Sequence, residues 1–394
     1  MAMKNGQTLQ VLHPTSIRDM DIEVMGLNPV SGLNPMAFHN CQRVLAVRPD
    51  DKVLLLLDST LDPRVTRFLW QLARGHGAQV QALIVEAAGT WEFPEEAKPL
   101  IEAATLVFTT WFSSSLDPYF FRLRQEKGQR YVKLTYFRSL DLMKSEAAAF
   151  PIDIISMLVR KTAQAFPSKG SAEVRIRDER GTDLKVTVSE QEIKSLMAQS
   201  RWRGEMTAER PGAYVHWIPM HGPNFWDFSA TPGEFEAIEG VIAPRRIVGF
   251  VEEFPADCRI RLNKNRVTAV EGPEHGPTAT LREMLLDGKL IEIGCGFNPK
   301  HSRNQIYPAG SNSAGALHLG LDLPRPSAYL SGVLPDWPEP PEHVDAVLLD
   351  ATVTINGAIV VDKGVLQATR DPEIRTATAR YGRPEYLLDV LPNV

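Results

Sequence analysis

Acidic and imidazole side chains interrupt apolar stretches at four places in the second half of the chain. Glu292 lies in LIEIGCG and His318 in ALHLGLD, each with a glycine two residues further on. Glu234 follows a Pro-Gly pair in TPGEFEAIEG, and Asp350 ends the run AVLLD. A buried carboxylate is costly unless it is paired or binds a metal. Since carboxylate oxygens and imidazole nitrogens suit hard or borderline divalent cations, these residues are candidate metal ligands.

Each of the four candidates also has an ordinary structural role open to it. Glu234 would be a solvated turn residue and Glu292 a strand-end ion pair. His318 would be a hydrogen-bonded core histidine, and Asp350 the cap between a strand and a turn. Taken one at a time, these residues do not distinguish a metal site from structural roles, because structural ion pairs use the same side chains.

Aromatic and imidazole side chains are concentrated in AYVHWIPMHGPNFWDFSATPGE, just before Glu234. The segment predicts a pocket for an aromatic or other planar small molecule, lined by His216, Trp217, His221 and Trp226. An aromatic packing cluster beneath a proline-rich loop is the alternative.

Two arginines in the preceding segment SRWRGE, Arg201 and Arg203, have the chemistry to clamp a substrate carboxylate. Exposed arginines usually have no such role, because a solvated ion pair contributes little.

The elements that must carry these residues differ between the two halves of the chain. Short apolar runs alternate with helical stretches in the N-terminal half: KVLLLLD, QVQALIVE, ATLVFTT and RYVKLTY. This alternation predicts an α/β domain with a parallel sheet. No G-x-G-x-x-G follows the first run and no G-x-x-x-x-G-K-[ST] occurs, so a scaffold is favoured over a nucleotide site.

Further along, the pattern becomes that of a mainly β (α+β) domain. Residues 151–166 predict one amphipathic helix at the junction, and AEVRIRDERGTDLKVTVS predicts a hairpin that turns at Gly181. We therefore expect an N-terminal extension over residues 1–44, an α/β domain over 45–168 and a mainly β metal-site domain over 169–394.

Length and composition set the remaining bounds. The chain has 394 residues and a formal charge of -5 without a long run of one sign, so nucleic-acid and membrane surfaces are not expected. The first residues lack the pattern of a secretory signal, which predicts a cytoplasmic protein. Cys41, Cys258 and Cys295 are not clustered, which predicts buried thiols rather than disulfides or a zinc site.

Several segments occur in the same order, and at similar spacing, as in a known enzyme family: RPDDKVLLLLDSTLDPRV, RDERGTDLKVTV, TPGEFEAIEG, LIEIGCGFNPKHSR, ALHLGLD and AVLLDATVTINGAIVVDKGVL. Over residues 45–370 the chain resembles the aminopeptidase T and aminopeptidase S metallo-aminopeptidases. The resemblance implies an α/β domain followed by a mainly β domain, and a homodimer. It also implies a site for two divalent cations such as zinc, cobalt or manganese, held by Glu234, Glu292, His318 and Asp350.

One position departs from the family's pattern. Where the family has a His-x-Asp pair, the matching segment reads Leu348-Leu349-Asp350, and a leucine cannot bind metal. The second imidazole is therefore predicted to be missing, unless His343 or His301 replaces it. Both of these histidines are expected at the surface.

A second, distant resemblance is to 2,5-dihydroxypyridine 5,6-dioxygenase. It implies one iron(II), held by a histidine at the position of Glu292 and by a later His-x-Asp pair. Of these ligands only Asp350 is matched, so a two-histidine, one-carboxylate triad is not expected.

The sequence thus predicts a metal-dependent hydrolase of the aminopeptidase T type. Its substrate would be a short peptide or small amide, attacked by metal-activated water. Glu292, His318 and Asp350 would be ligands, and Glu234 a further ligand or the general base. The alternatives are an iron(II) ring-cleaving dioxygenase acting on a hydroxylated aromatic or pyridine, and a metal-free binding protein.

Overall fold

The computed structural model describes residues 9–12, 32–85, 95–110, 118–134, 137–216, 223–227, 237–303, 313–326 and 341–390. The chain forms two compact units. The first unit comprises Met1–Ala149 with Met206–Pro219, and the second comprises Phe150–Glu205 with Met220–Val394. The helix predicted at the junction lies in the second unit.

The strands of the described residues are, in chain order, β1 (Leu9–Leu12), β2 (Lys52–Asp58), β3 (Gln79–Val85), β4 (Leu106–Thr109), β5 (Arg130–Lys133), β6 (Ala172–Arg177), β7 (Asp183–Val188), β8 (Tyr214–His216), β9 (Asn224–Asp227), β10 (Ile238–Ile242), β11 (Arg246–Ile247), β12 (Arg259–Asn263), β13 (Arg266–Glu271), β14 (Lys289–Cys295), β15 (Leu317–Pro326), β16 (Pro341–Leu348), β17 (Thr352–Ile355), β18 (Ala358–Asp362) and β19 (Val365–Leu366).

The α-helices of the same residues are α1 (Pro35–Leu45), α2 (Pro63–Gly75), α3 (Lys98–Ala103), α4 (Pro118–Lys127), α5 (Glu146–Ala149), α6 (Ile152–Ala163), α7 (Glu190–Ala198), α8 (Pro277–Leu285), α9 (Pro372–Thr378) and α10 (Pro384–Leu388). Short 3₁₀ turns cover Glu95–Ala97, Leu140–Lys144 and Gln367–Arg370. Among these helices, none is both long and apolar enough to cross a membrane.

The first unit is built on a sheet of order β1-β3-β2-β4-β5-β8. Its strands pair in parallel apart from β1, which runs antiparallel to β3. Because helices cover a parallel sheet on both faces, β2 reads as a continuous apolar run and is buried at every position after its first. Helix α2 begins normally, with Asp62 accepting a hydrogen bond from the Arg64 amide and a proline at the first turn. The predicted α/β domain with a parallel sheet is confirmed.

The second unit contains two antiparallel sheets. The larger has the order β13-β12-β10-β7-β6-β17-β18-β19 and includes the predicted hairpin of β6 and β7. Gly181 in the turn of this hairpin has a φ of 110°, a conformation that favours glycine. The smaller sheet has the order β11-β16-β15-β14-β9. The predicted mainly β character of the C-terminal half is therefore confirmed.

One face of the smaller sheet is apolar and one is polar, because side chains alternate along each strand. On β15 the leucines Leu317, Leu319 and Leu321 are fully buried and occupy the apolar face. His318, Gly320 and Asp322 occupy the other face. The candidate metal ligands are therefore on the face that the leucines leave free.

All three cysteines are free and buried, as the sequence predicted. Burial raises the pKa of the Cys295 thiol to about 12, against smaller lowering effects of a backbone hydrogen bond and of Arg303. A thiol with this pKa is almost never ionised at neutral pH, so Cys295 is a structural residue rather than a nucleophile.

Candidate metal centre

A row of cross-strand partners brings two carboxylates together on the polar face of the smaller sheet. Glu292 on β14 pairs with Gly320 on β15, and Gly320 pairs with Asp345 on β16. Directly opposed residues of antiparallel strands point to the same face. Glu292 and Asp345 thus stand on either side of a residue that has no side chain.

A bulge in β14 sets the direction of Glu292. Leu290 pairs with Leu321 on the apolar face, but Glu292, two residues later, pairs with Gly320 on the polar face. Residues two apart on a regular strand share a face, so the extra residue Ile291 is what turns Glu292 toward the polar side.

The glycine between the two carboxylates leaves the space that the Glu292 side chain occupies. A Cβ atom added at Gly320 would lie 2.6 Å from Glu292 Cγ and 3.2 Å from Glu292 Oε1. Real Cβ atoms essentially never come within 3.0 Å of another atom, so the approach to Cγ is excluded unless something shifts. The Glu292 side chain therefore crosses directly over the Gly320 backbone, as only a glycine there permits.

His343 completes a group of three potential ligands. It lies two residues before Asp345 on β16 and shares its face, with His343 Nε2 3.8 Å from Asp345 Oδ1. Ligand atoms of Glu292, His343 and Asp345 all lie within 4.8 Å of one another. Two carboxylates and one imidazole form a donor set suited to a divalent cation.

His318 approaches Glu292 from the other side. A Cβ atom added at Gly294, its cross-strand partner, would lie only 1.8 Å from His318 Cε1, so the ring lies flat over that glycine. His318 Nε2 is 3.5 Å from Glu292 Oε1. Glu292 thus lies between His318 and the His343–Asp345 pair, and the two glycines that accompany the motifs make room for these side chains.

The charges within the cluster shift two pKa values. Burial lowers the pKa of His318, but the hydrogen bond and negative charge of Glu292, with the charge of Asp345, raise it above its ordinary value, and Arg201 opposes them weakly. Burial, together with the charge of Glu292, raises the pKa of Asp345 despite His343 and His318 nearby. The carboxylates therefore compete for positive charge, which favours a cation among them.

The hydrogen bonding of one buried oxygen atom shows whether the cluster suits a cation. Among the described residues, Asp345 Oδ1 is buried and has no hydrogen-bond donor. A buried carboxylate oxygen without a donor is costly, and a bound cation removes that cost. Together with the donor set, this oxygen fits a divalent metal of the zinc, cobalt, manganese or iron type.

The structure brings together two of the four predicted ligands, Glu292 and His318. Asp350 is not a member of the group: its side chain is 70% exposed and its Oδ1 lies 3.7 Å from Arg303 Nη1. Asp350 follows β16 after the sheet has ended, and an exposed carboxylate is satisfied by water and by the arginine. Glu234 lies outside the described residues.

The predicted aromatic pocket is only partly within the described residues. Trp217 and His221 lie outside them. His216 ends β8 in the first unit, and Trp226 lies in β9 of the second. Trp226 is buried, and its indole N–H donates to Glu192 Oε1 at 3.1 Å, which gives this tryptophan a packing role.

Sequence reasoning considered His343 only as a replacement for the missing imidazole and did not single out Asp345, although EHVDAVL contains a literal His-x-Asp. The imidazole that appeared to be missing at Leu348 is present five residues earlier, on the strand next to that of His318. The expectation that His343 and His301 lie at the surface was wrong. The His343 side chain is 16% exposed, and His301 is buried, which lowers its pKa to about 4.

Comparison with known proteins supports the fold. The sequence matches no family model and no curated protein. The structure is similar to that of 2,5-dihydroxypyridine dioxygenase from Pseudomonas putida KT2440, with a TM-score of 0.59 and 16% identity over 86% of this chain and 98% of that chain. AmpT from Thermus thermophilus gives a TM-score of 0.44 and 14% identity over 84% of this chain and 99% of that chain. The similarity to the dioxygenase structure shows the two-domain fold.

Proposed function

We propose that this chain is a metal-dependent hydrolase that cleaves a peptide or small amide bond with metal-activated water. The observation that carries the proposal is the position of Glu292 between His318 and the His343–Asp345 pair. In the aminopeptidase family that the sequence resembles, a glutamate, a histidine and a His-x-Asp pair hold two metals. Glu292, His318, His343 and Asp345 match those residue types in the same order.

The ligands divide into two sets that share Glu292. Glu292, His343 and Asp345 would hold one cation, because their ligand atoms already lie within 4.8 Å of one another. His318 and Glu292 would contribute to a second, with Glu234 as the third ligand or the general base. A cation bound there would polarise the amide carbonyl and lower the pKa of a water molecule.

The residues of the chain would orient the reactants and move the protons. Hydrolysis adds the hydroxyl group of water to the amide carbonyl carbon and a proton to the leaving nitrogen, and the C–N bond breaks. A carboxylate beside the water accepts its proton and passes it to the leaving amine, the role we assign to Glu234. If the substrate is a peptide, its free amino terminus would approach the same cations.

The three residues whose ligand atoms lie together favour hydrolysis over oxygen chemistry. Ring-cleaving iron(II) enzymes of the facial-triad type use two imidazoles and one carboxylate. The group of Glu292, His343 and Asp345 has the opposite ratio, whereas the whole cluster, with His318 3.5 Å from Glu292, has two imidazoles and two carboxylates, so the dioxygenase is kept as the second candidate. Carboxylate-rich sites suit redox-inert or hard cations, as hydrolysis requires.

Metal content and amide hydrolysis, measured on the same preparation, test the proposal. Protein purified without a chelating tag is expected to contain, or after reconstitution to take up, about two equivalents of zinc, cobalt or manganese and to hydrolyse aminoacyl anilides or dipeptides. About one equivalent of iron, with oxygen uptake on a hydroxylated pyridine, would replace hydrolysis with the dioxygenase alternative. No uptake of any metal would leave a binding protein.

A further inference from the structure

Helices α6 and α9 of the second unit border an open cleft of about 740 Å³. One side chain from α6 and five from α9 and the turn after it line this cleft: Met157, Pro372, Glu373, Thr376, Ala377 and Arg380. None of these residues belongs to the smaller sheet, so the cleft shares no residue with the candidate metal centre. Its volume lies within the range of small-molecule sites.

Apart from its two charged residues, the cleft is lined mainly by apolar groups. Met157 contributes its thioether side chain from α6, and Ala377 contributes a methyl group from α9. The Thr376 hydroxyl donates to the Pro372 carbonyl at 2.9 Å, so this polar group is satisfied within its own helix. Because methionine adapts to partners of different shape, this surface suits an aliphatic side chain.

Arg380, at one end of the cleft, is held by two contacts. Its Nε donates to the Ala377 carbonyl at 3.1 Å, and its guanidinium carbon lies 5.3 Å from the centre of the Tyr381 ring. Tyr381 is itself fixed, because its hydroxyl donates to Asp153 Oδ2 on α6 at 2.8 Å. Within the described part of the chain, the two terminal nitrogens of Arg380 have no acceptor, so a bound carboxylate can pair with both of them.

Glu373, at the other end of the cleft, has no ion-pair partner among the described residues. The charged side chains around it are already paired. Lys161 on α6 pairs with Asp371 at 2.7 Å, and Arg375 pairs with Glu385 at 2.9 Å. The cleft therefore offers one negative and one positive group, with an apolar surface between them.

We propose that this cleft binds a short peptide with both termini free, its ammonium group at Glu373, its carboxylate at Arg380 and an aliphatic side chain over Met157. The two charged residues are seven positions apart, about 10 Å along a helix, and an extended tripeptide has about this length. A second copy of the chain fits less well, because a concave surface is not complementary to itself. The inference concerns a second site and does not rest on the proposed hydrolase function.

Three probes that differ only at their ends test the inference: alanyl-leucyl-alanine, its N-acetyl form and its C-terminal amide. Calorimetry on the full-length chain with a chelator present measures binding without metal-dependent hydrolysis. The wild-type chain is expected to bind each capped form about threefold more weakly than the free peptide, because each cap removes one solvated ion pair. In Glu373→Gln the acetyl group should make no further difference while the amide still weakens binding, and Arg380→Gln should show the opposite pattern.

Arg375→Gln is the matched control, since it removes a charge from the same helix outside the cleft and should keep the wild-type pattern. No binding of the free peptide, equal affinity for the three probes, or cap effects that persist unchanged in both variants would overturn the inference. A dimer that dissociates in Glu373→Gln or Arg380→Gln, without any peptide binding, would overturn it too and assign the surface to a second copy. These outcomes do not depend on whether the metal centre hydrolyses peptides.

Discussion

Glu292 is the side chain on which the candidate metal centre depends most. Its carboxylate lies 3.5 Å from His318 and within 4.8 Å of ligand atoms on His343 and Asp345. Each of those neighbours comes from a different position of β15 or β16, so the glutamate links the histidines on the two strands. A carboxylate has two oxygens and can contact His318 with one and a cation held by His343 and Asp345 with the other, which neither imidazole can do.

The two aspartates near the end of β16 give a matched test of the ligand set. Asp345→Asn is expected to weaken zinc or manganese binding by at least about tenfold, because even partners of ligands contribute that much. Asp350→Asn should leave the affinity unchanged, since that side chain is exposed and next to Arg303. Metal titration with a competing chelator dye measures both. Loss of affinity in Asp350→Asn alone would restore Asp350 as the ligand.

At the scale of the element, the three central strands of the smaller sheet position the site through glycines. Gly294 and Gly320 lie directly opposite His318 and Glu292, and each clears the space that the opposing side chain occupies. The cluster thus depends on side chains that are absent as much as on those that are present. This geometry belongs to pairs of strands, because the residues concerned are far apart along the chain.

Gly320→Ala is expected to displace the Glu292 carboxylate and weaken metal binding while the sheet still forms. The physical reason is the 2.6 Å approach of the new Cβ to Glu292 Cγ. Metal titration, together with a circular dichroism spectrum, measures the two effects separately. Gly75→Ala is the control, because a Cβ there meets no atom within 4 Å and favours helix α2. Unchanged affinity in Gly320→Ala would show that Glu292 is not a ligand.

The strands themselves were readable from the sequence, whereas their pairing was not. KVLLLLD, the Gly181 hairpin and LIEIGCG were recognised because periodicity and turn chemistry are local signals. Whether Asp345 or Asp350 meets Glu292 depends on the register between β15 and β16, which no local signal encodes. Asp350 was favoured because it ends an apolar run, and His343 was considered only as a substitute and expected at the surface because nothing near it in the sequence indicates burial.

At the scale of the whole molecule, the described ligand group lies entirely within the second unit. The first unit supplies a parallel sheet whose apolar strands explain its fold without a ligand. The order of these two architectures along the chain could be predicted. Helices that alternate with strands give a different pattern of apolar residues from a series of short strands. The return of Met206–Pro219 to the first unit could not be predicted, because β8 is a three-residue strand that pairs with β5 far earlier in the chain.

Stability of the whole chain should depend on pH through Asp322. Burial raises the pKa of this carboxyl to about 8, and the charge of Lys289 lowers it by less. The unfolded value is about 3.9, so between about pH 4 and about pH 8 the folded chain keeps a proton that the unfolded chain has released. Stability is therefore full below that window, falls as pH rises through it, and stays low above it.

Asp322→Asn should remove this decline and exceed the wild-type free energy of unfolding at pH 8 by at least about 1 kcal/mol. Urea unfolding midpoints, measured at several pH values with a chelator present, check the sign, and the exposed Asp350→Asn serves as control. A wild-type midpoint that stays level or rises across the window would contradict the assignment.

The bulge at Ile291 determines which face of the sheet the Glu292 side chain occupies. In a regular strand Ile291 would pair with Gly320, and Glu292 would fall opposite Leu319 and face the apolar side. The composition, hydropathy and strand propensity of the segment would hardly change. One unpaired residue thus separates a strand that offers a candidate ligand from one that only packs, and variants of this sheet are best compared by strand register as well as by residue identity.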